Sequence, residues 1–110
     1  MTAADNGQQR AFVVGDETAF DPAIHDLSKA SMDLYVDGEF QETAYGVKIM
    51  ESSPIASIVW LAGRLADFGL AMEAGSAVMT GSFTKQYRFD GPVEIEARYE
   101  LFGTASATFT

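Results

Sequence analysis

Between Ser52 and Ser82 the chain reads SSPIASIVWLAGRLADFGLAMEAGSAVMTGS, and no other stretch narrows the possible folds as much. Ser53 suits an N-cap, and Pro54 suits the first helical position, where its missing N–H costs nothing. Ile55, Ile58, Val59, Ala62, Leu65 and Ala66 then recur at helical spacing, with Arg64 and Asp67 off that stripe. Gly69 supplies a left-handed stop. The spacing predicts one main helix over about 53–68, its aliphatic stripe serving as core with Trp60 at the edge. Ser76 to Met79 is short and apolar enough for a buried strand. Thr80-Gly81-Ser82 closes it with two hydroxyls around a residue without a Cβ. Such a turn lets backbone approach a ligand, and its hydroxyls and N–H groups can bind a carboxylate. The same residues are also favoured in turns that bind nothing.

The remaining pattern is mainly β. Ala11 to Val14 reads as a short strand stopped by Gly15-Asp16, and Glu17 to Lys29 as a loop with one helical turn. Ser31 to Ala44 predicts a hairpin around Asp37-Gly38, a pair suited to a type I′ turn. Its register would set Val36 opposite Glu39, Tyr35 opposite Phe40 and Leu34 opposite Gln41. Gly46 marks a bend or a close backbone approach. Val93, Ile95, Ala97 and Tyr99 alternate with Glu94, Glu96, Arg98 and Glu100, the pattern of a strand with one buried and one wet face. Ala105, Ala107 and Phe109 continue it after a turn at Leu101-Phe102-Gly103. The expected class is α+β with one main helix, in a single domain over residues 1–110 whose first ten residues are flexible.

Charge excludes some partners. Seven basic residues stand against 16 acidic ones, for a net charge of −9. Nucleic acid needs clustered Lys and Arg, whereas here no two basic residues fall close enough in sequence to form a patch. There is no cysteine, and no segment reaches the ~18 apolar residues of a membrane span. No membrane partner is expected, and a cytoplasmic location is the default. Glu94 and Glu96 share a strand face and could hold a hard cation, but that spacing is equally that of a solvated face. His25 has no second histidine to pair with and reads as a turn residue. Asp5-Asn6 offers a carboxylate and an amide near the terminus. No Ser/His/Asp triad is visible.

The order of these features resembles the C-terminal part of the 2-keto-4-pentenoate hydratase family, which includes the 4-oxalocrotonate decarboxylases and lies in the fumarylacetoacetate hydrolase superfamily. The matching pieces are Ala4-Asp5-Asn6 with Ala11 to Gly15, the hairpin Leu34 to Glu39, and Ser53-Pro54 leading to Val59-Trp60-Leu61-Ala62. Leu65-Ala66, Gly69, Ala74-Gly75, Val78 to Thr84 and Phe102 to Phe109 follow in order. The resemblance implies a mixed β-roll or sandwich and a site for a small 2-oxo acid. In it, Mg²⁺ or Mn²⁺ chelates the substrate and stabilises an enolate while water adds or CO₂ leaves. It also implies that Thr80, Gly81, Ser82 and Asn6 border the substrate. The family's metal carboxylates and catalytic lysine fall upstream of this sequence, so no metal ligand is assigned here, and Glu94 and Glu96 do not replace them. Gly7-Gln8-Gln9, Ser52 and Gly63 depart from the family pattern. The expectation is a hydratase-like chain lacking the metal-binding half and inactive by itself. The alternatives are a non-catalytic subunit on a full-length relative, a homo-oligomer, or a small carboxylate-binding module.

Overall fold

Asp37 and Gly38 both take positive φ, 50° and 81°, as a type I′ turn requires. Around them β1 (Ser31–Val36) and β2 (Glu39–Tyr45) form the expected hairpin. The computed structural model describes residues 11–110, so Asn6, with Asp5, lies outside the described residues. The helix α1 (Pro54–Asp67), β3 (Val93–Tyr99) and β4 (Gly103–Phe109) complete the elements. The strands make one antiparallel sheet in the order β2-β1-β3-β4. The class is α+β.

The hairpin register departs from expectation after two pairs. Val36 faces Glu39 and Tyr35 faces Phe40, with their rings edge-to-face at 5.8 Å, but Leu34 faces Glu42 rather than Gln41. Gln41 is the extra residue of a β-bulge. Without it, Asp33 would face Glu42, and like charges directly opposite destabilise a sheet. With it, Asp33 faces Thr43, whose Oγ1 donates to Asp33 Oδ1 at 2.6 Å, and Ala44 joins Met32 on one face. The bulge therefore sorts polarity, at the cost of turning Glu42 onto the face of Leu34.

That face is otherwise apolar. Met32, Leu34, Ala44 and Val93 are buried on it, while Ile95, Ala97 and Tyr99 are half-buried. Its charged strand residues are Glu42 and, at the hairpin end opposite Val36, Glu39. The opposite face carries Asp33, Glu94, Glu96 and Arg98. There Glu96 is ion-paired to Arg98, whose guanidinium lies 4.1 Å from the Tyr35 ring centroid. Glu94 stays exposed, so Glu94 and Glu96 behave as a solvated face.

A 3-10 segment, Gly46–Glu51, turns the chain from β2 into α1. Met50 and Glu51 take left-handed φ of 52° and 53°, a conformation that costs about 1–3 kcal/mol per residue. Gly46 permits the turn, because a Cβ there would sit 1.8 Å from the Leu27 carbonyl oxygen. The helix follows its sequence signals closely. Ser53 Oγ accepts from the Ile55 N–H at 3.0 Å, and Gly69 (φ 71°) ends the helix. The Leu70 N–H then donates to Leu65 O and the Gly69 N–H to Ala66 O, a Schellman pair.

Three expectations fail here for one reason, the want of a covering partner among the described residues. The α1 stripe is not core: Val59 is 65% and Trp60 54% exposed, because α1 packs against the 3-10 segment rather than across the sheet. Ser76 to Met79 forms no strand and Met79 is exposed, since no neighbouring backbone pairs with it. Ala11 to Val14 is extended without ladder bonds, and its apolar side chains are exposed. Beyond it, Gly15 comes so close to β4 that a Cβ would lie 2.5 Å from Thr104 O.

Candidate functional site

The apolar sheet face is crossed by the segment that follows the Thr80-Gly81-Ser82 turn. Phe83 packs edge-to-face on Tyr99 at 6.0 Å, and Tyr87 stacks with Phe89 over a smaller apolar hollow beside Val93, Ile95 and Phe109. The turn itself rests on the 3-10 segment: a Cβ on Gly81 (φ 117°) would lie 3.1 Å from Ile49 Cδ1, and Ile49 is buried. Gly81 thus satisfies both a conformational and a spatial demand.

Between this segment and the edge strand β2 lies a hollow of about 390 Å³, within the range of small-molecule sites. Glu42 to Tyr45 form one wall, Ser82 to Lys85 the other, and Lys48 reaches in from the 3-10 segment. Ser82 Oγ donates to Thr84 O at 2.9 Å and accepts from the Thr84 N–H at 3.3 Å, which fixes the wall it stands on. No acceptor among the described residues takes the backbone N–H of Gly81, Ser82 or Phe83. Thr80 is half-buried and does not line the hollow. Of the three turn residues, Ser82 lines the hollow and Gly81 and Thr80 do not.

The electrostatics of the hollow were not legible in the sequence. Lys48 and Lys85, far apart along the chain, line it together, which corrects the expectation that no two basic residues meet. Neither has a carboxylate oxygen within ion-pair distance among the described residues. Lys85 Nζ lies 5.3 Å from the Tyr87 ring centroid. Glu42 Oε1 is covered and has no hydrogen-bond partner among the described residues. Burial pushes the Tyr87 hydroxyl above its ordinary pKa, and the neighbouring Glu42 carboxylate adds to that rise. Glu42, Lys48 and Lys85 are the residues sequence reasoning missed; only the bulge would have pointed to Glu42.

His25 lies elsewhere. Its Nδ1 accepts from the Asp21 N–H at 2.9 Å and its ring sits between Phe20 and Phe102, so it is a turn residue. Among the described residues no three His, Asp or Glu side chains gather where a metal ion could be held. The divalent cation implied by the resemblance has no ligand set there. No helix among them is long and apolar enough to cross a membrane.

An α+β domain with a polar-rimmed hollow at a sheet edge names no reaction by itself. Comparison with known proteins narrows it. No protein-family model matches the chain. A 2-hydroxyhexa-2,4-dienoate hydratase of Comamonas testosteroni is 30% identical over 109 residues, covering 99% of this chain and 40% of the relative. A 2-oxo-hept-4-ene-1,7-dioate hydratase of Escherichia coli is 30% identical over 84 residues, covering 76% of this chain and 31% of the relative. A solved 4-oxalocrotonate decarboxylase from Pseudomonas putida G7, complexed with calcium and acetate, superposes with a TM-score of 0.72 at 30% identity, over 78% of this chain and 33% of that one. The chain is homologous, over nearly all its length, to part of the 2-keto-4-pentenoate hydratase and 4-oxalocrotonate decarboxylase family, and it resembles the C-terminal part of those enzymes. It spans about 40% of the length of the first curated relatives it matches.

Proposed function

We propose that this chain forms one wall of a 2-oxo-acid pocket in a hydratase of this family, which adds water to a 2-hydroxy-dienoate or 2-oxo-enoate. The observation that carries the proposal is Ser82 lining the hollow, on a turn whose backbone N–H groups have no acceptor among the described residues. Such donors suit a carboxylate or a developing oxyanion. Ser82 Oγ, which donates to Thr84 O and accepts from the Thr84 N–H, holds the turn in shape beside the hollow. In this reading the cation is held by residues outside those described, and the sheet is one side of a β-roll. The relatives leave the substrate's far end open, because one is named for a dienoate and another for a dioate.

The test is binding of pyruvate or oxalate, followed by amide shifts in nuclear magnetic resonance. Shifts confined to residues 80–85 are expected, with Ser82→Ala weakening binding about tenfold because the bonds that hold the turn to Thr84 are lost. Binding indifferent to Thr80→Ala and Ser82→Ala, or no binding, counts against the pocket.

One observation favours a second reading, a non-catalytic subunit that docks on a full-length relative. Ile55, Val59, Trp60 and Phe68 leave α1 with large apolar side chains exposed. Co-purification with a co-expressed hydratase or decarboxylase is its test, and a chain that never associates argues against it.

A further inference from the structure

The two edges of the sheet are unlike. β2 carries the bulge at Gln41 and the charges of Glu39 and Glu42, features that discourage a further strand. β4, with the sequence GTASATF, has no charge, no proline and an unbroken register against β3. Which of its backbone groups are free follows from the ladder. The Asp37 N–H donates to Glu94 O and the Glu100 N–H to Ser31 O, so Glu94, Glu96, Arg98 and Glu100 turn their backbone groups toward β1. Val93, Ile95, Ala97 and Tyr99 then face β4, opposite Phe109, Ala107, Ala105 and Gly103. By the same alternation Thr104, Ser106 and Thr108 point their N–H and C=O outward, where no backbone partner stands among the described residues.

We infer that this edge is a strand-accepting surface, and that its occupant is Ala11–Val14 of the same chain, closing antiparallel with Gly15 opposite Thr104. Ala11–Val14 joins no ladder and its side chains are exposed. The chain just beyond it is already held at the edge: a Cβ on Gly15 would lie 2.5 Å from Thr104 O, and Thr18 Oγ1 lies 3.4 Å from Phe102 O. With Gly15 at the start of β4, only the antiparallel sense lays residues 14 to 11 along the strand toward Phe109. The parallel sense would carry them off its end. Val13 then falls opposite Ser106 and Ala11 opposite Thr108, each matched to outward-pointing groups. Phe12 falls opposite Ala107 and Val14 opposite Ala105, on the apolar face that holds Ile95 and Phe109. Closure therefore sends the two exposed apolar side chains to the face that needs cover.

The test is amide hydrogen exchange of the full 110-residue chain, read residue by residue in nuclear magnetic resonance spectra. Closure bonds the backbone groups of Val13 and Gly15 to β4 and leaves those of Phe12 and Val14 pointing away. Val13, Gly15 and Ser106 should exchange at least about tenfold more slowly than their intrinsic rates, and Phe12 and Val14 close to theirs. A short Hα–Hα contact between Phe12 and Ala107, a pair without mutual hydrogen bonds, should accompany this pattern. Val13→Pro removes one donor and should return Ser106 to its intrinsic rate, while Ala105 and Ala107, bonded to β3, keep their protection. Fast exchange throughout 11–15 and at Ser106 overturns the closure, as does protection of Ser106 that survives Val13→Pro. A Phe12–Ala107 contact found only between differently labelled copies in a mixture overturns it too, because the strand would then come from a second copy.

Discussion

Gly46 shows how much one hydrogen atom in place of a methyl can decide. Its N–H donates to Ala30 O at 2.9 Å, and the absent Cβ would fall 1.8 Å from Leu27 O. Gly46→Ala should destabilise the chain by about 3 kcal/mol, the upper end of overpacking costs, as read by urea unfolding. Ser53→Ala, which removes only a cap bond, should cost about 1 kcal/mol. A close approach at Gly46 and a cap at Ser53 were legible because each is a local rule. Tyr99 adds a pH dependence. Burial raises its hydroxyl above the usual 10.0, so its neutral form belongs to the folded state. The stability it contributes is full below about pH 10 and is lost as pH rises through the raised value. Tyr99→Phe should flatten the alkaline limb of a stability–pH curve; an unchanged limb would assign the loss elsewhere.

Elements separate what neighbours along the chain dictate from what only a partner in space decides. The Asp37-Gly38 turn fixed the hairpin and its first two pairs from four adjacent residues. The bulge at Gln41 was illegible because it answers to Asp33, Glu42, Met32 and Ala44 at once, across two strands. It is also what delivers Glu42 to the hollow. Helix α1 kept its caps and ends as read, but its apolar stripe did not find the sheet. Periodicity says which side of a helix can be buried, and says nothing of what arrives to bury it. Trp60→Ala should therefore cost under about 1 kcal/mol in the isolated chain, against the 3–5 kcal/mol of a core aromatic. A cost in the core range would show that the stripe is covered in solution.

At the scale of the whole molecule, no side chain among the described residues is fully buried, and the buried hydrophobic residues among them are Ala30, Met32, Leu34, Ala44, Ile49 and Val93. Large apolar side chains on α1 and on the 11–14 segment remain open to solvent. Exposed apolar surface of that extent marks a place for a covering partner. The Thr80-Gly81-Ser82 turn was visible in sequence, whereas the joining of Lys48 and Lys85 in one hollow was not, since only the fold brings their segments together. The most direct measurement mixes this chain with a polypeptide carrying the remaining part of a 2-keto-4-pentenoate hydratase, in Mg²⁺, and follows 2-hydroxypenta-2,4-dienoate by its ultraviolet absorbance. A chain that forms the pocket wall should restore consumption of the dienoate, and Ser82→Ala should slow it roughly tenfold to a hundredfold. A mixture that leaves the dienoate untouched, or turns it over at the same rate without the Ser82 hydroxyl, would contradict that role.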